Sequence, residues 1–402
     1  MDRDRREDIL RTQRTDQWQR GEPHIGGYYG EEEIETVVET IRDSMDPNEG
    51  FGFICEEIEQ FEEQFGAYCN ASECVTINGA GTGLDMAMMC LDLEPGDEVI
   101  VPAINFPGAA LSVIGQGGNV VWCEVDPRTF QADPEDVERR ITERTRAIYP
   151  VHMNGMAAPI DDYLEIAERH PHPRHGPLKV IGDAARSCGA GYKGEKIGGR
   201  AWMTVYSFHT MKLMTTLGEG GAVTTNDPEV ADRLRAIRQF GGGKQWGTNY
   251  KMTKVQAAVG LVQLERLDRM LDQRRLVAYE RNELLADLPE LTLPYEPEDC
   301  WHTYYLYTCL VPEDWAGEKR DRIIEIMRDD YQVGCVVANP PCYKSNAFLG
   351  RMTDGQRLPL SEQLGDRLIC ISLHPKMTTE DNEYICAALW DAVERIREEG
   401  QA

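Results

Sequence analysis

The sequence predicts an α/β protein, with a large domain built on a mostly parallel sheet flanked by helices and a smaller α+β domain at the C-terminus. Three observations predict it. The chain has 402 residues, too many for one small core and suited to a large domain with a second, smaller one. Short β-rich runs at 98–101, 120–125, 147–152, 180–183, 204–208 and 222–225 alternate with helical patterns or turn signals, the order that gives parallel strands joined by helices. Pro289, Pro294 and Pro297 then interrupt that order and mark a boundary. The expected division is an N-terminal arm over 1–30, the large domain over 31–288 and the small domain over 289–402.

Residues 1–30 are polar and end in Gly26-Gly27-Tyr28-Tyr29-Gly30, which reads as an irregular arm that docks on a partner subunit or frays. Ile34, Val37, Val38 and Ile41 follow helical spacing until the breakers of Asp46-Pro47-Asn48-Glu49-Gly50, and a second helix runs from about 54 to 68. Asn78-Gly79-Ala80-Gly81-Thr82-Gly83 leads into Leu84, Ala87, Met88 and Leu91, again one helix face. Glycines opening a helix leave backbone N–H groups free to face an anion, so the segment is either a phosphate cup or an ordinary helix start with permissive glycines. It is neither a dinucleotide fingerprint nor a Walker loop, since both spacings are absent. A helix over 229–240 ends in Gly241-Gly242-Gly243, and a long helix from about 253 to 288 carries Val255, Val259, Val262, Leu267 and Leu271. Beyond the boundary follow a strand (304–310), a helix (320–331), a Pro340-Pro341 loop and a terminal helix (379–398).

Composition narrows the function. The formal net charge of −27, with no Lys/Arg-rich segment to offset it, argues against a nucleic-acid partner. The twelve cysteines are scattered singly with no CxxC pair, so no metal site and no disulfide framework is expected. Residues 1–20 lack the apolar core of a signal peptide, and no run approaches the roughly 18 apolar residues that span a bilayer. The expectation is a cytoplasmic protein without a membrane partner.

Ligands of an open parallel sheet lie at the carboxyl ends of its strands, and three segments converge there. Phe106 follows one strand, Asp183 ends another, and Ser207 and Lys212 follow a third in the run Ser207-Phe208-His209-Thr210-Met211-Lys212, which leads to Gly218-Glu219-Gly220-Gly221. An amine forms an imine with an aldehyde only when part of it is neutral, and desolvation drives a lysine that way, so Lys212 reads as a Schiff-base lysine. Taken alone, Ser-x4-Lys reads as a surface lysine in a glycine-rich loop, and it is its company elsewhere in the chain that overturns this. Asp183 can meet a protonated ring nitrogen or cap the next turn, and Phe106 can stack on a planar ring or fill the core.

Together, Gly96-Asp97-Glu98-Val99-Ile100-Val101-Pro102, Gly182-Asp183-Ala184-Ala185, Ser207-Phe208-His209-x-x-Lys212, Gly218-Glu219-Gly220-Gly221 and Asn249-Tyr250 ahead of Gln256-Ala257-Ala258 make a pattern. It resembles that of the DegT/DnrJ/EryC1/StrS sugar aminotransferases, from about Gly30 to the C-terminus. The resemblance implies fold type I and pyridoxal 5'-phosphate, with pyridoxamine 5'-phosphate between half-reactions. It makes Lys212 the Schiff-base lysine, Asp183 the partner of the pyridine nitrogen and Phe106 the stacked ring. Gly81, Thr82 and Ser207 would bind the phosphate, and Asn249 would reach it from the neighbouring subunit of a homodimer with shared sites. Glutamate or glutamine would be the amino donor, and a neutral polyhydroxy ketone, keto-sugar or keto-cyclitol, the acceptor, with a keto-cyclitol such as scyllo-inosose slightly ahead of a nucleotide-linked sugar.

The departures concern substrate. Arg186 stands where the family usually has glutamine, so a neutral amide becomes a fixed cation that either touches cofactor, substrate carboxylate or phosphate, or pairs internally with a carboxylate such as Glu219. Ala80 replaces a serine and Met156 a glutamine of the family's pattern. His302 and Tyr304 are candidate hydroxyl-binding groups or core residues. The related sugar 3-dehydratases carry histidine where this chain has Lys212, which argues against that activity, while a non-catalytic cofactor-binding regulator would need no complete acid/base set.

Overall fold

A computed structural model describes residues 1–15 and 17–399. Seven strands make the central sheet: β1 (Glu73–Ile77), β2 (Glu98–Pro102), β3 (Asn119–Cys123), β4 (Thr145–Ile148), β5 (Lys179–Asp183), β6 (Met203–Ser207) and β7 (Gly221–Thr225). Their spatial order is β1-β7-β6-β5-β4-β2-β3. Every pairing is parallel except those of β7, which runs antiparallel to both β1 and β6. All residues of β2, β6 and β7 are buried, as expected of strands covered by helices on both faces. β1 has no counterpart in the sequence reading, because Glu73-Cys74-Val75-Thr76-Ile77 is short and carries only two strongly apolar residues.

A helix over Lys254–Leu285 crosses from the large sheet to the C-terminal part. Thr253 and Gln256 close a capping box at its start, with the Gln256 side chain accepting from the Thr253 N–H at 3.0 Å. Leu267, Met270 and Leu271 pack in the core around the large sheet, whereas Val277, Ala278 and Leu285 pack in the core of the C-terminal part. That second core is built on an antiparallel sheet of Tyr307–Leu310, Leu368–Ile371 and Cys335–Val336, covered by helices over Glu318–Asp329 and Thr379–Glu399.

The irregular-arm reading of residues 1–30 needs correction. Asp2 caps a helix over Arg3–Thr12, accepting from the Arg5 N–H at 2.9 Å. That helix lies on the terminal helix: Arg6 pairs with Glu394 at 2.5 Å and its guanidinium sits 4.5 Å from the Trp390 ring, with Ile9 buried beside them. One buried isoleucine and an arginine stem leave too little apolar periodicity to show in the sequence. Nine of the twelve cysteines are buried and all twelve are free. No described helix is long and apolar enough to cross a membrane.

Arg274 joins these parts. The long helix carries it into the interior, 2% exposed, where it donates to Gly26 O at 2.6 Å, Leu373 O at 3.1 Å and Tyr304 O at 3.3 Å. Burial lowers its pKa to about 10, so the guanidinium stays protonated at neutral pH with carbonyls as its partners. Arg274→Met keeps the apolar length and removes every donor, leaving buried carbonyls unmet at a cost of about 2–4 kcal/mol. The urea midpoint should fall accordingly, and proteolysis should cut the chain N-terminal to Gly26 sooner. An unchanged midpoint would show that the three segments hold together without the arginine.

Candidate active site

The register of the sheet sets the site. Ile77 of β1 and Ser207 of β6 both face Gly221 of β7, and Asp183 of β5 faces Val205. The carboxyl ends of β1, β5 and β6 therefore open on one rim. From β1 the chain passes through Asn78-Gly79 into a helix over Ala80–Leu91 whose cap position, Gly79, has no side chain to occupy the first N–H groups. The Thr82 hydroxyl turns back to Asn78 Oδ1 at 2.7 Å, and a Cβ on Gly81 would meet nothing within 4 Å. A Cβ on Gly221 would come within 2.9 Å of Ala80 N, so glycine there lets β7 approach the helix start. Free N–H groups, the helix dipole and open space make an anion cup.

Ser207, 5% exposed, lies beside the cup, and its hydroxyl accepts from the His209 N–H at 3.3 Å. A tight turn follows, closed by Lys212 N–H to His209 O at 2.9 Å and Thr210 N–H to Gly218 O at 3.0 Å. It sends the Lys212 side chain inward until Nζ is 3.4 Å from the Tyr305 hydroxyl and 4.9 Å from that ring's centroid. The Tyr305 hydroxyl in turn donates to Glu22. Burial, reinforced by the Arg186 cation, lowers the Lys212 pKa to about 8 against the opposing pull of Glu22 and Asp183. Roughly one amine in ten is then neutral at pH 7, where an ordinary lysine has well under one in a thousand.

Asp183 is buried, and its Oδ1 accepts from the Ala185 N–H at 2.9 Å. Burial raises its pKa, against the opposing pull of the Ala185 N–H and the cations of Lys212 and Arg186. Phe106 is 62% exposed at the end of β2, so it does not fill the core. Arg186 makes no ion pair with Glu219, whose carboxylate is 67% exposed and leans to His209 at 3.9 Å. It donates instead to Asn339 Oδ1 at 2.8 Å, with its guanidinium 5.6 Å from the Tyr305 ring. Lys212, Asp183, Arg186, Ser207 and the Gly81-Thr82 turn thus share one rim.

The structure does not bring His302 or Tyr304 into this group, and the substrate-contact reading of both is corrected. His302 is 3% exposed and stacks on Tyr304 at 4.1 Å, and Tyr304 sits in the C-terminal core with its hydroxyl on Glu296 at 3.2 Å. Tyr304 holds a left-handed backbone at φ +50, which turns the next side chain, Tyr305, toward Lys212. Tyr305, one residue beyond Tyr304, carries the hydroxyl that meets Lys212. Glu22 and Asn339 carried no such signal, since each reaches the site from a segment remote in sequence. Asn249 is exposed in the loop that pairs with Gln239 and stands outside the hydrogen-bonded cluster.

Acetylation of Lys212 by a neutral reagent in cofactor-free protein, read by mass spectrometry, should rise about tenfold per pH unit and level off above about pH 8. Glu22→Gln removes an anion that favours the charged amine, so its plateau should begin at lower pH. Arg186→Gln removes a cation that disfavours it, so its plateau should begin at higher pH. Shifts in the same direction would show that neither charge governs the amine.

Comparison with known proteins agrees with this geometry. The sequence model of the DegT/DnrJ/EryC1/StrS aminotransferase family matches residues 30–390. The chain is 35% identical to the GDP-perosamine synthase of Caulobacter vibrioides over 343 residues, 83% of this chain and 89% of that protein. It is 32% identical to the dTDP-3-amino-3,4,6-trideoxy-alpha-D-glucose transaminase of Streptomyces venezuelae over 346 residues, 85% of this chain and 88% of that one. The crystal structure of Streptomyces venezuelae DesV in complex with a ketimine intermediate superposes with a TM-score of 0.82 at 31% identity, covering 91% of this chain and 96% of DesV. The chain therefore belongs to the DegT/DnrJ/EryC1/StrS aminotransferase family and is a pyridoxal-phosphate-dependent aminotransferase of fold type I.

Proposed function

We propose that the enzyme moves an amino group from glutamate or glutamine to a keto group on a polyhydroxy ring, a nucleotide-linked sugar ahead of a keto-cyclitol. The observation that carries the chemistry is the buried, partly neutral Lys212 amine beside the Asp183 carboxylate and the anion cup. The preference for a sugar is supported by the names of relatives that act on GDP- and dTDP-linked sugars.

Bound pyridoxal phosphate supplies an aldehyde that takes up amines and a ring that accepts electrons when a neighbouring C–H bond breaks. The residues fit it. The open N–H groups at Ala80–Thr82 and the Ser207 hydroxyl would hold its phosphate, Asp183 would keep its ring nitrogen protonated, and the exposed Phe106 ring would cover one face. With an amino donor bound, the Lys212 amine would stand as the general base that takes the donor's Cα proton and would give it back on the far side of the donor's nitrogen. The lowered pKa suits both directions of that transfer. The Tyr305 hydroxyl, itself held by Glu22, keeps Nζ from swinging out of line.

The site belongs to a homodimer in this reading. Phe53, Phe240 and Trp246 are exposed, and the Lys251 amine lies over the rings of both Phe53 and Phe240, at 5.3 and 5.1 Å. Such a patch calls for a cover, and it adjoins the loop that carries Asn249. A second copy seated there would let Asn249 reach across to the partner's phosphate cup.

Lys212→Ala should fold normally and lose more than about a thousandfold in turnover, because its role is chemical. Mixing it with Asn249→Ala protein under subunit exchange should restore one intact site per mixed dimer. No recovery after confirmed exchange would count against a shared site. For the acceptor, enzyme loaded as pyridoxamine phosphate should return to the pyridoxal form in one turnover with nucleotide-linked keto-sugars or keto-inositols. A response to simple keto acids alone would overturn the polyhydroxy assignment.

A further inference from the structure

A line of hydrogen bonds leads from the reacting amine toward the surface. Lys212 Nζ donates to the Tyr305 hydroxyl at 3.4 Å, and that hydroxyl donates to the Glu22 carboxylate. An ammonium can only donate and a carboxylate can only accept, so both hydrogens point away from the lysine. Tyr305 is buried, whereas Glu22 is half-buried and reaches solvent. The line therefore has a cation at its inner end, a group that can both give and take a proton in the middle, and a wet anion at its outer end.

Holding the amine in place does not require such an arrangement, since any fixed acceptor would serve. Losing a proton does. With a pKa of about 8 the amine is mostly protonated at neutral pH, yet only its neutral form can take a proton from carbon. The amine is buried, and a donor seated on the rim covers it further, so the proton needs a path through the protein. Tyr305 suits the middle of that path. Burial keeps its phenol neutral, with the cation of Arg186 opposing and Glu22 reinforcing, and Arg274 adds a second opposing cation. Arg186 lies 5.6 Å from the ring centroid and Arg274 donates to the Tyr305 carbonyl at 3.5 Å. Two cations so placed favour any negative charge that passes over the hydroxyl oxygen.

We infer that Tyr305 and Glu22 form a proton relay between Lys212 and solvent. An N–H bond of the Lys212 ammonium breaks and its proton goes to the Tyr305 oxygen, while the hydroxyl's own proton goes to a Glu22 oxygen. An ammonium and a carboxylate thus become a neutral amine and a carboxylic acid, the phenol is restored, and no electron changes hands. Glu22 then gives the proton to water, and the reverse sequence reloads the amine. The inference rests on the reading of Lys212 as general base and extends it to the fate of the proton: what Lys212 takes from the donor's Cα can exchange with water before it is given back. Tyr305 touches the reacting amine and is catalytic, and Glu22 acts through it.

The test follows a labelled proton. Enzyme loaded with pyridoxal phosphate is given glutamate or glutamine deuterated at Cα, in ordinary water, for a single turnover, and mass spectrometry reads deuterium in the pyridoxamine phosphate formed. An ammonium mixes the deuteron with two protons, so retention has a ceiling of about one third, and exchange with water lowers it. The parent should retain little, and Tyr305→Phe and Glu22→Gln should each retain about threefold more or higher. Glutamine is the telling replacement, because its amide oxygen still accepts from the Tyr305 hydroxyl but does not carry the proton away. Retention near the ceiling in the parent overturns the inference. So does parental retention in Glu22→Gln, which would leave the pair only a positioning role. A second readout needs no donor: in cofactor-free protein containing isotope-labelled lysine, NMR follows exchange of the Lys212 amine hydrogens with solvent. Exchange should slow about threefold or more in both variants. Losing the Glu22 charge by itself makes the amine easier to deprotonate, so faster exchange in Glu22→Gln overturns the relay. If neither donor converts the cofactor while exchange slows in both variants, the donor reading falls and the relay stands.

Discussion

One buried guanidinium organises the region behind the active site. Arg274 gathers carbonyls from three segments that are far apart in sequence: Gly26 near the N-terminus, Tyr304 at the entry to the small sheet and Leu373 at its exit. A charged donor satisfied by neutral acceptors is indifferent to which carboxylates ionise, so the joint holds over a wide pH range. Its consequence is positional. Fixing Gly26 fixes Glu22 four residues earlier, and fixing Tyr304 fixes Tyr305, the two residues that meet at the Lys212 amine.

The amine itself sits in a balance of opposed fields. Desolvation and Arg186 push it toward neutrality, while Glu22 and Asp183 pull it back, and the result is a group that can be both nucleophile and proton carrier near neutral pH. No single neighbour would achieve that. A more deeply isolated lysine would be neutral and a poor proton donor, and one paired tightly with a carboxylate would stay charged and unreactive. The bonded distances explain the compromise, since Lys212 touches a hydroxyl rather than a carboxylate.

Legibility followed locality. The alternation of strands and helices, the glycine-opened helix at Ala80, Asp183 at a strand end and Lys212 in its turn were all readable because each depends on neighbours within a few residues. β1 is silent in the sequence because a five-residue strand with single Glu, Cys and Thr residues among its Val and Ile has no periodic signature. The antiparallel course of β7 is equally silent, since Gly218-Glu219-Gly220-Gly221 marks a turn without saying which way the next strand runs. Glu22 and Asn339 were invisible for a different reason: nothing in their surroundings in sequence says that they end at the same rim. His302 and Tyr304 show the limit at its finest, where a single left-handed residue decided which of two adjacent tyrosines faces the chemistry.

The tie between Glu22 and Tyr305 spans 283 residues, and that between Gly26 and Arg274 spans 248. During synthesis at about 5–20 residues per second, roughly 15–60 s separate the emergence of Glu22 from that of Tyr305. The sheet from β1 to β7 can close in that interval, with Lys212 already in its turn, but the acid and hydroxyl beside it cannot meet. The segment around Glu22 thus waits for Tyr305 before it can take its place beside the lysine. A chain that stops before Tyr305 retains the lysine and lacks the hydroxyl, itself tied to Glu22, that meets its amine.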